Sequence, residues 1–139
     1  MATGRATRSV GAMNLLRAAG ALAGTYVIGA IIALATGIGG LADVLGNGTP
    51  LSAPGFIVGA ELLGALVALR HRAGAALVLL ACGVSLAAAA FDGDVGRAGL
   101  TRPEIAWQGV EVAASIVLLA LTARLLIRRP RRRAAGATA

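Results

Sequence analysis

The stretch "APGFIVGAELLGALVALRHR", residues 53–72, decides the class of this chain. From Pro54 to Leu69 it carries a single charge, Glu61, and it stops at the basic turn Arg70-His71-Arg72. An apolar run closed by arginines is the pattern of a membrane helix whose end meets lipid headgroups. The rest of the sequence agrees. Of 139 residues 58% are hydrophobic and 14% charged, where soluble domains carry about a quarter charged. Aromatics make up 3%, and there are 20 glycines. Small residues in this proportion let membrane helices approach closely. The composition therefore predicts an all-α integral membrane protein.

Three further apolar segments flank the first. The four spans run about Leu15–Ile38, Pro54–Leu69, Ala73–Phe91 and Glu104–Ile127, against the roughly 20 helical residues that cross a hydrocarbon layer. They define a transmembrane domain over 15–127, preceded by a cytoplasmic segment 1–14 and followed by a basic tail 128–139 expected to be disordered. Turn-forming "GNGTPLSAP" (46–54) and "DGDVGRAGLTRP" (92–103) separate the spans. Gly37-Ile38-Gly39-Gly40 reads as a helix C-terminal breaker, and Thr101-Arg102-Pro103-Glu104 as a helix start. The basic start, the first run and Ala33-Leu34-Ala35 also fit a secretory signal with its cleavage site. The run is too long for a signal, however, and cleavage would leave three spans.

Charge placement gives direction. All 13 basic residues are arginines and the net charge is +7. Eleven fall on one side of the spans: Arg5, Arg8, Arg17, Arg70, Arg72, Arg124 and the cluster Arg128 to Arg133. Only Arg97 and Arg102 fall on the other, with Asp43, Asp92, Asp94 and Glu104. By the positive-inside rule both termini are cytoplasmic. Arginines beside apolar runs are membrane anchors and topology signals, and no aromatic-plus-basic surface accompanies them, so nucleic-acid binding is not expected.

The polar residues inside the spans carry the functional reading. Glu61 and Glu111 each lie seven residues inside the outer end of their span, about 10 Å deep at 1.5 Å per residue. Ser85 falls near the same level. Glu104, Gln108, Glu111, Ser115 and Thr122 form one stripe of the fourth helix, and Cys82, Ser85 and Asp92 one stripe of the third. The stripe of Glu61 continues through Gly64, Ala65 and Ala68. The first span has the series Gly20, Gly24, Gly29, Ala33, Gly37, with Thr25 and Tyr26 among them. A carboxyl facing lipid costs about 2–3 kcal/mol even on mild scales, so both glutamates should face the bundle. Two carboxyls meeting there cannot both ionise cheaply, so at least one should keep its proton. The alternative is structural: a protonated glutamate hydrogen-bonded to a neighbouring helix only to fix packing. Tyr26 and Trp107 read as packing and interface residues.

Absences narrow the chemistry. The single histidine, His71, lies in the cytoplasmic turn, which excludes a bis-histidine haem and a Ser/His/Asp triad within one chain. Cys82 is the only cysteine, so there is no internal disulfide, and no Cys/His cluster suits zinc or iron–sulfur ligation. No cofactor or metal is expected, and catalysis by this chain alone is not.

The segment "GAELLGALVALRHRAGAALVLLACGVSLAAA", Gly59 to Ala89, resembles the DoxX-like family of small four-helix membrane proteins. Such proteins similarly carry a Glu followed by leucines and glycine, a short basic turn and an Ala/Leu-rich third helix; Arg17 at the head of the first span is similar too. The resemblance implies association with membrane oxidoreductase systems, since named members are subunits of a thiosulfate–quinone oxidoreductase.

Together these readings predict a membrane four-helix bundle acting as an accessory or assembly subunit. It would dock through Gly/Ala-rich faces to a second copy or a larger membrane complex. The alternative is a protein that handles protons or cations, or binds a small ligand, through Glu61, Glu111, Gln108, Ser85, Ser115 and Tyr26.

Overall fold

The computed structural model describes residues 3–91 and 99–127, with side chains from residue 10 onward in the first helix. The tail 128–139 and Asp92, Asp94 and Arg97 lie outside the described residues. The described chain is helical: α1 Thr3–Thr36, α2 Gly55–Ala68, α3 Arg72–Phe91 and α4 Arg102–Ile127, with a π-helical turn at Asp43–Asn47. Three helical segments are long and apolar enough to cross a membrane: Val10–Thr36 of α1, then α3 and α4. At 14 residues α2 is shorter, about 21 Å against a hydrocarbon layer of about 30 Å.

Each helix has two helical neighbours: α1 packs on α2 and α4, and α3 on α2 and α4. α1 and α4 run antiparallel. Gly11 faces Leu125 at one end of the pair, while Gly29 faces Glu111 toward the other. The tightest junction is the α2–α3 hairpin, where a Cβ on Gly64 would stand 2.9 Å from Gly74 O and one on Gly74 would overlap α2 backbone. Only hydrogen fits between these two backbones.

The partition of residues is inverted relative to a soluble core. α2 buries Ile57, Glu61, Gly64, Ala65 and Ala68 and exposes Leu62, Leu63 and Leu66. α4 buries Glu104, Gln108, Glu111, Ser115, Leu118 and Thr122 while Ile116 and Val117 are more than half exposed. Polar and small groups pack inside, and large aliphatic groups cover the outside. Several hydroxyls inside are satisfied within their own helix, Thr122 Oγ1 donating to Leu118 O at 2.7 Å and Thr25 Oγ1 to Leu22 O at 2.7 Å.

Helix ends follow local chemistry. Gly37 at φ 72° terminates α1 in a left-handed turn, and Ile38 N donates back to Ala33 O at 3.0 Å. At the start of α4, Thr101 N donates to Glu104 Oε2 at 2.6 Å, one half of a capping box.

Three features that the sequence reading left open bear on the site. The α1 backbone is helical from Thr3, through most of the segment read as a separate N-terminal stretch, since its Ala, Met and Arg residues are good helix formers and no proline interrupts them. Of the glycine series on α1, Gly29 and Ala33 are buried, but Gly20, Gly24 and Gly37 are exposed, and a Cβ on any of these three would meet nothing. The residues form two small-residue series, and the five-residue step from Gly24 to Gly29 turns about 140° around a helix of 3.6 residues per turn, so the two series lie on different faces. Third, "GNGTPLSAP" is not an open surface loop. Leu51 is fully buried and Ser52 nearly so.

Candidate functional site

The buried loop is the roof of the site. Thr49 N donates to Ser52 O at 2.8 Å and Ser52 N to Thr49 O at 3.1 Å, closing a tight turn around Pro50 and Leu51. Leu51 N reaches Thr49 Oγ1 at 3.3 Å, and Pro50 O accepts from Gln108 Nε2 at 2.7 Å. Proline has no N–H to satisfy. The turn thus carries its own hydrogen bonds inward, as irregular backbone must when it is removed from water. Its descent requires Gly29, because a Cβ there would overlap Leu51 O and stand 2.7 Å from Glu111 Oε1. Gly29 lies seven residues before the end of α1, so the turn reaches about 10 Å below that end.

Beneath this roof is a cavity of about 190 Å³. Tyr26 of α1, Ser85 of α3, and Gln108, Glu111 and Ser115 of α4 all line it. Five of the six residues singled out in the sequence thus meet at one place. α4 supplies three through its 3.6-residue periodicity, and α1 and α3 bring a hydroxyl each.

The polar groups are linked. Ser115 Oγ donates to Glu111 O at 2.8 Å, which commits its only proton, so at 3.2 Å from Ser115 Oγ the Tyr26 hydroxyl is the donor. Ser85 stands beside the Tyr26 phenol. Trp107 Nε1 donates to Glu111 Oε1 at 3.2 Å across one helical turn. The Trp107–Glu111 link was missed in the sequence, although their i, i+4 spacing was the available signal. The roof was missed as well; one fully apolar residue, Leu51, within a turn-forming stretch was its only trace.

Glu61 stands apart. It is 1% exposed, does not line the cavity, and neither carboxyl oxygen has a hydrogen-bond partner among the described residues. The Cys82 thiol faces it but donates to Ser115 O at 3.4 Å. The two glutamates are therefore not hydrogen-bonded to each other: Glu111 belongs to the cavity, and Glu61 sits in the apolar packing of α2. Arg17, the other residue carried by the family resemblance, is exposed on α1.

No Arg, Lys or His among the described residues lines the cavity. Among the described residues no group of three or more His, Cys, Asp or Glu could hold a metal ion. The arrangement offers acceptors and hydroxyls in an apolar frame, suited to holding a ligand by hydrogen bonds. Comparison with known proteins adds no relative, since no family model, curated protein or solved structure matches this chain.

Proposed function

We propose that this chain is a four-helix integral membrane protein, with both termini cytoplasmic, that binds a small ligand in the cavity roofed by residues 48–54. One observation carries the reading: polar side chains from three helices converge on a single cavity in a molecule whose outer surface is aliphatic. Intramembrane polar groups are expensive, and their collection around an open space, rather than in separate pairs, favours a ligand over packing alone. The membrane reading rests on the three long apolar helices and the inverted partition. The orientation rests on eleven arginines sharing one side. In this arrangement α2 spans with the π-helical turn Asp43–Asn47 packed at its outer end, where Gly55 faces Leu45, making up the depth its 14 residues lack.

The test is native mass spectrometry of the protein released from lipid nanodiscs. A one-to-one adduct with a small molecule is expected for the native chain and not for Ala88→Phe, which fills the cavity wall. Identical adducts on both proteins would overturn the reading.

The uncovered Gly20 and Gly24 favour a second role, as an accessory subunit docking to a copy of itself or to a larger membrane complex; the DoxX-like resemblance would make that complex an oxidoreductase. The same spectra address it. A dimer or larger species should be lost in Gly20→Ile/Gly24→Ile, and a monomer in the native protein would contradict it.

A further inference from the structure

The cavity also indicates what kind of ligand it takes and from where; this step rests on the pocket reading above. α2 and α3 are in backbone contact at Gly64 and Gly74, near their turn. Toward the outer end Phe56 and Ile57 of α2 and Val84, Ser85, Ala88 and Ala89 of α3 stand as the walls of the cavity. Phe56 is 64% and Val84 51% exposed, and Ala88 is exposed as well. Val84 lies seven residues before the end of α3, about 10 Å below the outer boundary. The cavity edge at Val84 is therefore at hydrocarbon depth, in the gap between α2 and α3, while Asn47 and the roof form the side nearer water.

Hydrogen-bond accounting sets the head group. The donors that α1 and α4 bring to the cavity each have a partner: Trp107 Nε1 at Glu111, Gln108 Nε2 at Pro50 O, Ser115 Oγ at Glu111 O, and Tyr26 at Ser115; Asn47, Thr49 and Ser85 line it as well. The acceptors are not exhausted, since beside the bond from Trp107 the Glu111 carboxyl keeps a further acceptor position whether or not it carries a proton, and each hydroxyl oxygen takes two hydrogen bonds. With no cationic side chain among the described lining residues, an anionic head would be desolvated without compensation. A head that donates finds acceptors waiting.

We infer that the cavity takes a membrane-dissolved amphiphile through the α2–α3 gap, its hydrogen-bond-donating head, a hydroxyl or an amine, at Glu111 and its chain in the bilayer. The test uses the full chain in nanodiscs with three photoreactive probes, hexadecanol, hexadecylamine and hexadecanoate, each with a diazirine in mid-chain, and cross-links mapped by peptide mass spectrometry. The alcohol, the amine or both should label residues 54–57 and 84–89 at least about tenfold more than hexadecanoate, an affinity difference of about 1.4 kcal/mol. Whichever is stronger identifies the head. Ala88→Phe should remove this labelling and leave that of the outward-facing Leu62 and Leu66 unchanged. Glu111→Leu should abolish the preference over hexadecanoate. If hexadecanoate labels the cavity walls as well as the other two, or the preference survives Glu111→Leu, the donor-head inference falls and the pocket stands. If all three probes label only outward-facing residues, the inference and the pocket reading fall together.

Discussion

Two glycines on one helix separate packing from composition. A Cβ on Gly29 would collide with Leu51 O and Glu111 Oε1, whereas one on Gly24 would meet nothing. Gly29→Ala is therefore expected to cost about 1–3 kcal/mol through displacement of the roof, and Gly24→Ala to stabilise the protein by about 0.5–1 kcal/mol through helix propensity alone. Denaturant unfolding in detergent micelles measures both; equal effects would mean that the roof does not press on α1. Glu61 poses the opposite case. An unsatisfied buried polar group costs about 1–3 kcal/mol, so Glu61→Met, similar in volume, is expected to stabilise the protein by an amount in that range. A loss of stability in the same measurement would reveal a partner for the carboxyl. The sequence could say that Glu61 points inward, because exposure to lipid is costly. It could not say that the side chain would be unpartnered there, which depends on where Cys82 sends its proton and on where the cavity ends.

Among the elements, α4 was the most legible. Its buried stripe Glu104, Gln108, Glu111, Ser115, Thr122 follows the 3.6-residue period, and its start follows from the Thr101–Glu104 capping pattern, both of them local signals. The close of α1 at Gly37 was legible for the same reason. The roof was not, because its burial comes from contacts with Gly29 and Gln108, distant in sequence and absent from any local pattern. The structure gives the roof two attachments to the helices, the Pro50–Gln108 hydrogen bond and the seat of Leu51 on Gly29. Removing the first with Gln108→Leu should let the turn open locally while the helices persist. A cysteine at Ser52 should then react with maleimide at least about tenfold faster than in the otherwise native chain, the mark of an opening made easier by about 1.4 kcal/mol. Equal rates would mean that the turn is held by other contacts. Native Cys82 is buried and gives little background.

At the scale of the molecule, the small and polar interior, the aliphatic exterior and three helices long and apolar enough to cross a membrane support the proposed membrane reading, and the placement of the arginines supports the proposed orientation. Cysteine introduced at the exposed Asn47 should react with an impermeant maleimide added to intact cells. At the exposed His71 it should react only after permeabilisation. The reverse result would invert the topology. Within that frame the cavity is a recess entered from the bilayer, and Trp107, the only tryptophan, is bonded to one of its walls. Quenching of Trp107 emission in nanodiscs by chain-brominated hexadecanol reads occupancy directly. Saturable quenching that disappears in Ala88→Phe is the expected result; quenching that rises linearly and identically in both proteins would mean the probe reaches Trp107 only as bulk lipid, and that the cavity admits nothing.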